Sequence, residues 1–224
     1  MGQMIEFKRP DGQHGRAYQA PAASTAAVAP GLVLIQEWWG LNDHIRAVAD
    51  RFAAAGFETL APDLYRGRLA SSADEASHLM NDLDFPDATH QDLRGAVLHL
   101  AAAGRKVGAL GFCMGGALTV AAAVHVPELD AAVCFYGIPP AGFADPARIR
   151  KPFQGHFATR DDWCTPAAAA QLEQAMRAAG QQPECFHYEA DHAFFNNARP
   201  EVFDAAAAAL AWQRSVDFLK RTLA

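Results

Sequence analysis

A cysteine framed by glycines is the first residue in this sequence that could do covalent chemistry. Cys113 lies in Gly111-Phe-Cys-Met-Gly115, which is the nucleophile-elbow pattern with sulfur in place of the serine oxygen. The glycines allow a strand and a following helix to approach closely while Cys113 takes a strained conformation. The helix start offers backbone N–H groups that favour a thiolate. The pattern indicates a nucleophilic thiol, although an isolated pattern of this kind is more often a packed core cysteine.

A cysteine nucleophile needs a base, and His192 is the candidate. It lies in 189–196, between the last predicted strand and the final predicted helix, and Phe194 and Phe195 beside it could shield a site from water. Four other histidines lie on helical patterns, where we expect solvated or structural roles: His44, His78, His90 and His99. The order of nucleophile, acid and base along the chain is then that of α/β-hydrolases.

Three aspartates could orient this histidine. Asp191 is the poorest candidate, because neighbours in an extended segment point to opposite sides and it is adjacent to His192. Asp161 and Asp162 both follow an earlier predicted strand. Asp162 is preferred because it stands at the turn into a helix that starts near Pro166. The residues alone leave Asp161 open, with support of the turn or capping of that helix as its other role.

Glu37 is a carboxylate placed directly after an apolar strand and before Trp38 and Trp39. Burying it is costly unless it is paired or protonated. It could simply reach solvent or accept hydrogen bonds from the loop. Alternatively it faces the thiol and tunes its ionisation, and the N–H groups of Trp38 and Met114 then form an oxyanion hole.

The elements that must position these residues alternate between strand and helix. The pattern predicts strands at 4–8, 16–19, 31–36, 57–61, 106–110, 129–136, 152–158 and 185–188, and helices at 43–55, 73–80, 87–103, 114–124, 166–179 and 200–223. Such alternation is typical of an α/β fold with a mostly parallel sheet between helices, whose ligands bind at the carboxyl ends of the strands. Glu37, Cys113, the segment 159–162 and His192 each follow a strand and are expected at that edge.

Composition limits the remaining classes. A chain of 224 residues that is 51% hydrophobic fits one domain over 1–224. The net charge of −6, with basic residues dispersed, argues against nucleic-acid binding. Four cysteines without Cys-x-x-Cys spacing indicate neither a disulfide framework nor a metal site. No apolar run approaches about 18 residues and no signal peptide is visible, so we expect no membrane span and a cytoplasmic location.

Several segments together resemble the dienelactone hydrolase family, the carboxymethylenebutenolidases. They are 34–42 (Leu-Ile-Gln-Glu-Trp-Trp-Gly-Leu-Asn), 54–65, 111–116, Asp162-x-x-x-Pro166 and 191–196 (Asp-His-Ala-Phe-Phe-Asn), in the family's order. The resemblance covers nearly the whole chain and implies an α/β-hydrolase fold. It also implies a hydrolase of small lactones or activated esters that forms a thioester acyl-enzyme and needs no cofactor or metal. We expect a small-molecule substrate and a monomer or weak homo-oligomer.

The resemblance also implies roles for particular residues. Cys113, His192 and Asp162 form the triad, since the Asp-x-x-x-Pro spacing selects Asp162 over Asp161. Glu37 holds the thiol neutral at rest and removes its proton when substrate enters, and the main chains of Trp38 and Met114 bind the oxyanion. Three residues are expected to contact substrate: Trp39, Phe194 and Asn196.

The chain departs from the family at the arginines that grip a substrate carboxylate. Asn196 stands where one of them is found, four residues past His192. Four arginines could substitute, although each fits a surface position: Arg66, Arg68, Arg160 and Arg199. The alternative to hydrolysis is an inactive or redox-sensing thiol protein on the same fold.

Overall fold

Eight strands form the sheet at the centre of the protein. The computed structural model describes residues 2–24, 26 and 28–224. Its strands are β1 (Gln3–Lys8), β2 (His14–Ala20), β3 (Gly31–Ile35), β4 (Glu58–Pro62), β5 (Val107–Phe112), β6 (Ala131–Phe135), β7 (Phe153–Arg160) and β8 (Glu184–Asp191). They lie in the order β1-β2-β4-β3-β5-β6-β7-β8.

The sheet is mostly parallel, as predicted. From β4 through β3 and β5 to β8, every pair of neighbours is parallel. The N-terminal strands β1 and β2 form an antiparallel pair at one edge, and β2 joins β4 antiparallel. All residues of β3, β5 and β6 are buried. The carboxyl ends of these central strands therefore carry the candidate residues to a protected edge.

Helices connect the strands. They are α1 (Asp43–Ala54), α2 (Ala73–Asp82), α3 (Phe85–Asp87), α4 (Arg94–Ala101), α5 (Met114–His125), α6 (Pro166–Ala178) and α7 (Ala205–Leu223), with a π-helical turn at Ala88–Leu93 and a 3-10 turn at Pro146–Arg148. The predicted helix over 87–103 is thus interrupted by the π-helical turn. The predicted helix over 200–223 begins later, because Asp204 caps it by accepting hydrogen bonds from the N–H groups of Ala206 and Ala207.

The two glycines of the cysteine motif allow β5 and α5 to approach closely. A Cβ on Gly111 would lie 2.1 Å from the carbonyl oxygen of Gly115. A Cβ on Gly115 would lie 2.5 Å from the carbonyl oxygens of Ile35 and Gln36. Neither position can carry a side chain without moving backbone, so the elbow depends on both glycines, as the sequence predicts.

Candidate active site

Cys113 occupies the sharp turn between β5 and α5. Its φ of +56° and ψ of −119° lie where a residue with a side chain is strained, so the predicted strain at the elbow is present. The backbone N–H of Cys113 donates to the carbonyl of Phe135, and its carbonyl accepts from Ala117 N–H in the first turn of α5. These bonds hold the strained residue at the start of the helix.

The Cys113 thiol is buried, with 7% of the residue exposed. Burial and, after it, the negative charge of Glu37 raise the pKa of this thiol well above its usual range. The backbone N–H groups of Met114 and Trp38 oppose that shift, because N–H donors near the sulfur favour its thiolate form. The raised pKa indicates that the resting cysteine is a neutral thiol. The two N–H groups beside it would stabilise negative charge at this position.

His192 follows β8 directly and is held by Asp161. The His192 Nδ1 atom lies 2.7 Å from Asp161 Oδ2. The other carboxylate oxygen, Oδ1, accepts hydrogen bonds from the N–H groups of Trp163 at 2.9 Å and Cys164 at 2.7 Å. Because an ionised aspartate only accepts, the proton of a neutral His192 is fixed on Nδ1, and Nε2 is available as a base.

The expectation that Asp162 orients the histidine is wrong. The strand β7 continues to Arg160, two residues beyond its predicted end, so Asp161 is the residue that lies at the strand terminus. Asp161 is 3% exposed, whereas Asp162 is exposed to solvent. Asp161 does not cap α6 either, since Thr165 does so by accepting from Ala168 N–H. The residue left open by the sequence is the one in contact with His192.

Glu37 is buried, with 2% of the residue exposed. Its Oε2 atom accepts a hydrogen bond of 2.5 Å from Asn196 Nδ2, while Oε1 has no hydrogen-bond partner among the described residues. Burial raises the pKa of this carboxyl to about 7, although Asn196 and the charges of His192 and Arg199 lower it. Near neutral pH the group can therefore either give up or accept a proton.

A small pocket gathers these side chains. It has a volume of about 150 Å³ and is lined by Glu37, Trp38, Trp39, Met80, Cys113, Trp163, His192, Ala193 and Arg199. The nucleophile, the base and the carboxylate predicted from sequence therefore share one cavity. Trp39 lies in its wall, where a substrate contact was expected.

Two of the three expected substrate contacts are not part of this wall. Phe194 is fully buried and packs against the rings of Tyr136 and Tyr188, with centroids at 5.3 Å and 4.9 Å. Asn196 is buried behind the pocket, where its amide is engaged by Glu37. The aromatic and polar pattern after His192 therefore forms the support of the site and not its surface, which corrects both predictions.

The four candidate arginines differ in what they contact. Arg66 pairs with Asp92 at 2.8 Å, Arg160 with Asp191 at 2.8 Å and Arg68 with Asp82 at 4.0 Å. Arg199 lines the pocket, lies over the Trp39 ring and pairs with Glu201 at 2.8 Å. Of these four, Arg199 is the one positioned to meet a substrate.

Three residues of the pocket were missed by the sequence analysis. Met80 comes from α2, in the segment with the weakest pattern, and Trp163 follows the two aspartates. Trp163 lies edge-on to the His192 ring with centroids 5.3 Å apart, and Tyr136 is also edge-on to that ring at 5.0 Å. A tryptophan directly after the two candidate acids is the signal in the sequence that could have identified it. Ala193 carried no signal.

The described residues contain no group of three or more histidine, cysteine, aspartate or glutamate side chains arranged to hold a metal ion. None of the helices in these residues is both long and apolar enough to cross a bilayer.

Comparison with known proteins shows the family of this chain. Residues 16–223 match the profile described as "Dienelactone hydrolase family". The chain belongs to the dienelactone hydrolase family. It is accordingly a carboxylic-ester hydrolase with an α/β-hydrolase fold, as the sequence resemblance implied.

Individual relatives cover the whole chain. "Protein usf" of Aquifex pyrophilus is 34% identical over 100% of both chains, and the "Putative carboxymethylenebutenolidase" of Aquifex aeolicus is 30% identical, also over 100% of both. Among solved structures, the "Putative Dienelactone Hydrolase" of Klebsiella pneumoniae is similar with a TM-score of 0.85 at 25% identity, over 99% of each chain.

Proposed function

We propose that this dienelactone hydrolase family member cleaves small lactones or activated esters through Cys113, His192 and Asp161, by way of a thioester on Cys113. The observation that carries the proposal is the 2.7 Å contact between Asp161 and His192 beside a pocket that contains the strained Cys113. The nucleophile and the base of an acyl transfer thereby line one small cavity, and the orienting acid contacts the base.

The first half of the reaction forms the thioester. The proton of the Cys113 thiol passes to His192 Nε2, directly or by way of the Glu37 carboxylate, and the sulfur forms a bond with the carbonyl carbon. The carbonyl oxygen gains the negative charge and is stabilised by the N–H groups of Trp38 and Met114. The bond from carbon to the leaving oxygen then breaks, and that oxygen takes a proton from His192.

The second half releases the acid. His192 removes a proton from a water molecule, whose oxygen attacks the thioester carbonyl. The carbon–sulfur bond breaks, the product carboxylic acid leaves, and the cysteine thiolate takes back the proton that His192 removed from the water. A sulfur nucleophile suits substrates with weakly basic leaving oxygens, such as enol lactones and phenyl esters.

In this proposal, Glu37 keeps the Cys113 thiol protonated while no substrate is bound. Three features support a role in keeping Cys113 neutral until substrate enters: the position of Glu37 near the thiol, its raised pKa, and an Oε1 atom without a hydrogen-bond partner in the described part of the chain. The buried, high-pKa thiol argues against a redox sensor, because sensing cysteines are exposed and ionised. Four free cysteines support a reducing compartment, for which we propose the cytoplasm.

The proposal is tested by turnover of cis- and trans-dienelactone beside phenyl acetate. We expect wild-type protein to hydrolyse at least one of them and Cys113→Ala to lose that activity. Cys185→Ala is the matched control, because this half-buried cysteine lies on β8 outside the pocket, and it should keep wild-type rates. Undiminished turnover by the Cys113→Ala variant would overturn the assignment.

A further inference from the structure

Trp163 connects the pocket to a second cavity that the reaction scheme does not use. The residue is 48% exposed, which is unusual for so large an apolar side chain. It lines both the catalytic pocket and a groove of about 470 Å³ on the neighbouring surface. The two cavities thus share one wall.

The position of Trp163 is fixed by the catalytic acid. Its backbone N–H donates to Asp161 Oδ1 at 2.9 Å, and its indole lies edge-on to the His192 ring at 5.3 Å. The groove therefore begins on the side of the pocket where His192 lies. Any group that crosses Trp163 from the groove arrives beside the base.

The groove is mostly apolar. It lies between the loop that follows β6 and helix α6, and its apolar wall includes Ile138, Pro140, Pro146, Ala168, Leu172 and Ala175. The one carboxylate that the described residues contribute to its lining is that of Asp145. One oxygen of this carboxylate caps the 3-10 turn by accepting a hydrogen bond from the N–H of Ala147 at 2.9 Å. Such a surface can bury the apolar part of a ligand, and it has few groups that would bind a charged ligand.

The catalytic pocket itself is too small for a large ester. A cavity of about 150 Å³ corresponds to a single benzene-sized group. An ester with a bulky alcohol must therefore place part of itself outside this pocket. Since His192 must protonate the leaving oxygen, the alcohol side of the ester leaves the pocket next to His192, and that is the side on which Trp163 lies.

We propose that the groove binds the apolar alkyl or aryl part of the ester's alcohol, with Trp163 as the shared wall between acyl and alcohol subsites. The inference rests on the proposed function, because it takes His192 as the acid that protonates the leaving oxygen. It makes the protein selective for esters that combine a small acyl group with an extended apolar alcohol.

The substrate series for the test varies the alcohol at constant reactivity. Acetate esters of methyl, butyl and octyl 4-hydroxybenzoate have phenol leaving groups of nearly equal basicity but different length. We expect kcat/KM to rise roughly tenfold from methyl to butyl, because additional methylenes are buried in the groove. With 4-nitrophenol as a constant leaving group, lengthening the acyl chain from acetyl to octanoyl should instead lower kcat/KM.

Variants on α6 localise the effect. Ala175→Phe should fill the groove and flatten the dependence on alcohol length, and Ala168→Phe serves the same purpose if the first variant does not fold. Ala170→Phe is the matched control, because Ala170 is exposed on the same helix and does not line the groove. It should keep the full length dependence.

A binding measurement separates this inference from the proposed function. Butyl 4-hydroxybenzoate, the product alcohol, should bind wild-type protein and the Ala170→Phe variant in calorimetry, and the Ala175→Phe variant at least tenfold more weakly.

Absence of hydrolysis with such binding intact would overturn the proposed function alone. Equal binding by both variants, or a wild-type rate independent of alcohol length, would overturn the groove assignment. So would a switch from dimer to monomer in sedimentation of Ala175→Phe without a change in length dependence, since the groove would then be a contact between copies of the chain.

Discussion

Asp161 holds His192 through a 2.7 Å contact between Oδ2 and Nδ1, and the other oxygen of the same carboxylate is held by two backbone N–H groups. The turn that follows Asp161 therefore fixes the carboxylate in the orientation that contacts His192. Its neighbour Asp162 faces solvent, which makes the two adjacent residues a natural pair for experiment.

Asp161→Asn should lower kcat for ester hydrolysis by roughly 10³- to 10⁴-fold, because an amide no longer stabilises the required tautomer and charged form of His192. Asp162→Asn changes the same atoms one residue away and should stay within about twofold of wild type. Steady-state kinetics with phenyl acetate measure both. A larger loss in Asp162→Asn than in Asp161→Asn contradicts the assignment.

Glu37→Gln should change how stability depends on pH. The folded-state pKa of Glu37 is raised from 4.5 to about 7, so the folded protein holds this proton more tightly than the unfolded chain does. Its contribution to stability is fully present below pH 4.5 and is lost as the pH rises through 7. Relative to Glu37→Gln, the wild type should lose up to about 3 kcal/mol of unfolding free energy across that window. Urea denaturation at a series of pH values measures the difference, and parallel curves for the two proteins would show that Glu37 titrates normally.

Asn196→Leu should raise the pKa of Glu37 further, because the hydrogen bond from the amide favours the carboxylate. If Glu37 removes the proton from Cys113, the acid limb of the kcat/KM profile should move up by about one pH unit. The same substitution in a Glu37→Gln background is the control and should leave the limb in place. A shift that persists without Glu37 would assign the effect to another group.

Arg199→Gln tests whether a cationic side chain selects anionic lactones. Arg199 lines the pocket, so its loss should lower kcat/KM for dienelactones roughly five- to tenfold and leave neutral phenyl acetate within about twofold. Arg160→Gln is the matched control, since that guanidinium is exposed and engaged by Asp191. Equal losses on charged and neutral substrates would assign Arg199 a structural role through Trp39.

The sequence was sufficient for the features that depend on local pattern. The glycines beside Cys113 predicted the strained elbow, and the alternation of strands and helices predicted which residues meet at the sheet edge. Glu37 was identified because a carboxylate between an apolar strand and two tryptophans is physically costly to bury, and it is buried.

The errors came from features that depend on register and on tertiary packing. Choosing between Asp161 and Asp162 required the end of β7, and a difference of two residues there decided which side chain points inward. Phe194 and Asn196 were near His192 in sequence, but the turn after β8 directs them into the core. Met80 and Arg199 reach the pocket from segments whose placement no local pattern determines. The oligomeric state and the single-domain organisation stay predictions.

The most direct test of the account is to trap the acyl group. Wild-type protein is mixed with 4-nitrophenyl acetate and quenched in acid, and the acetylated peptide is identified by mass spectrometry. We predict an acetyl group on Cys113 that neutral hydroxylamine removes, and no such label in Cys113→Ala. An unmodified Cys113 in the wild type, together with undiminished turnover by Cys113→Ala, would contradict the central claim.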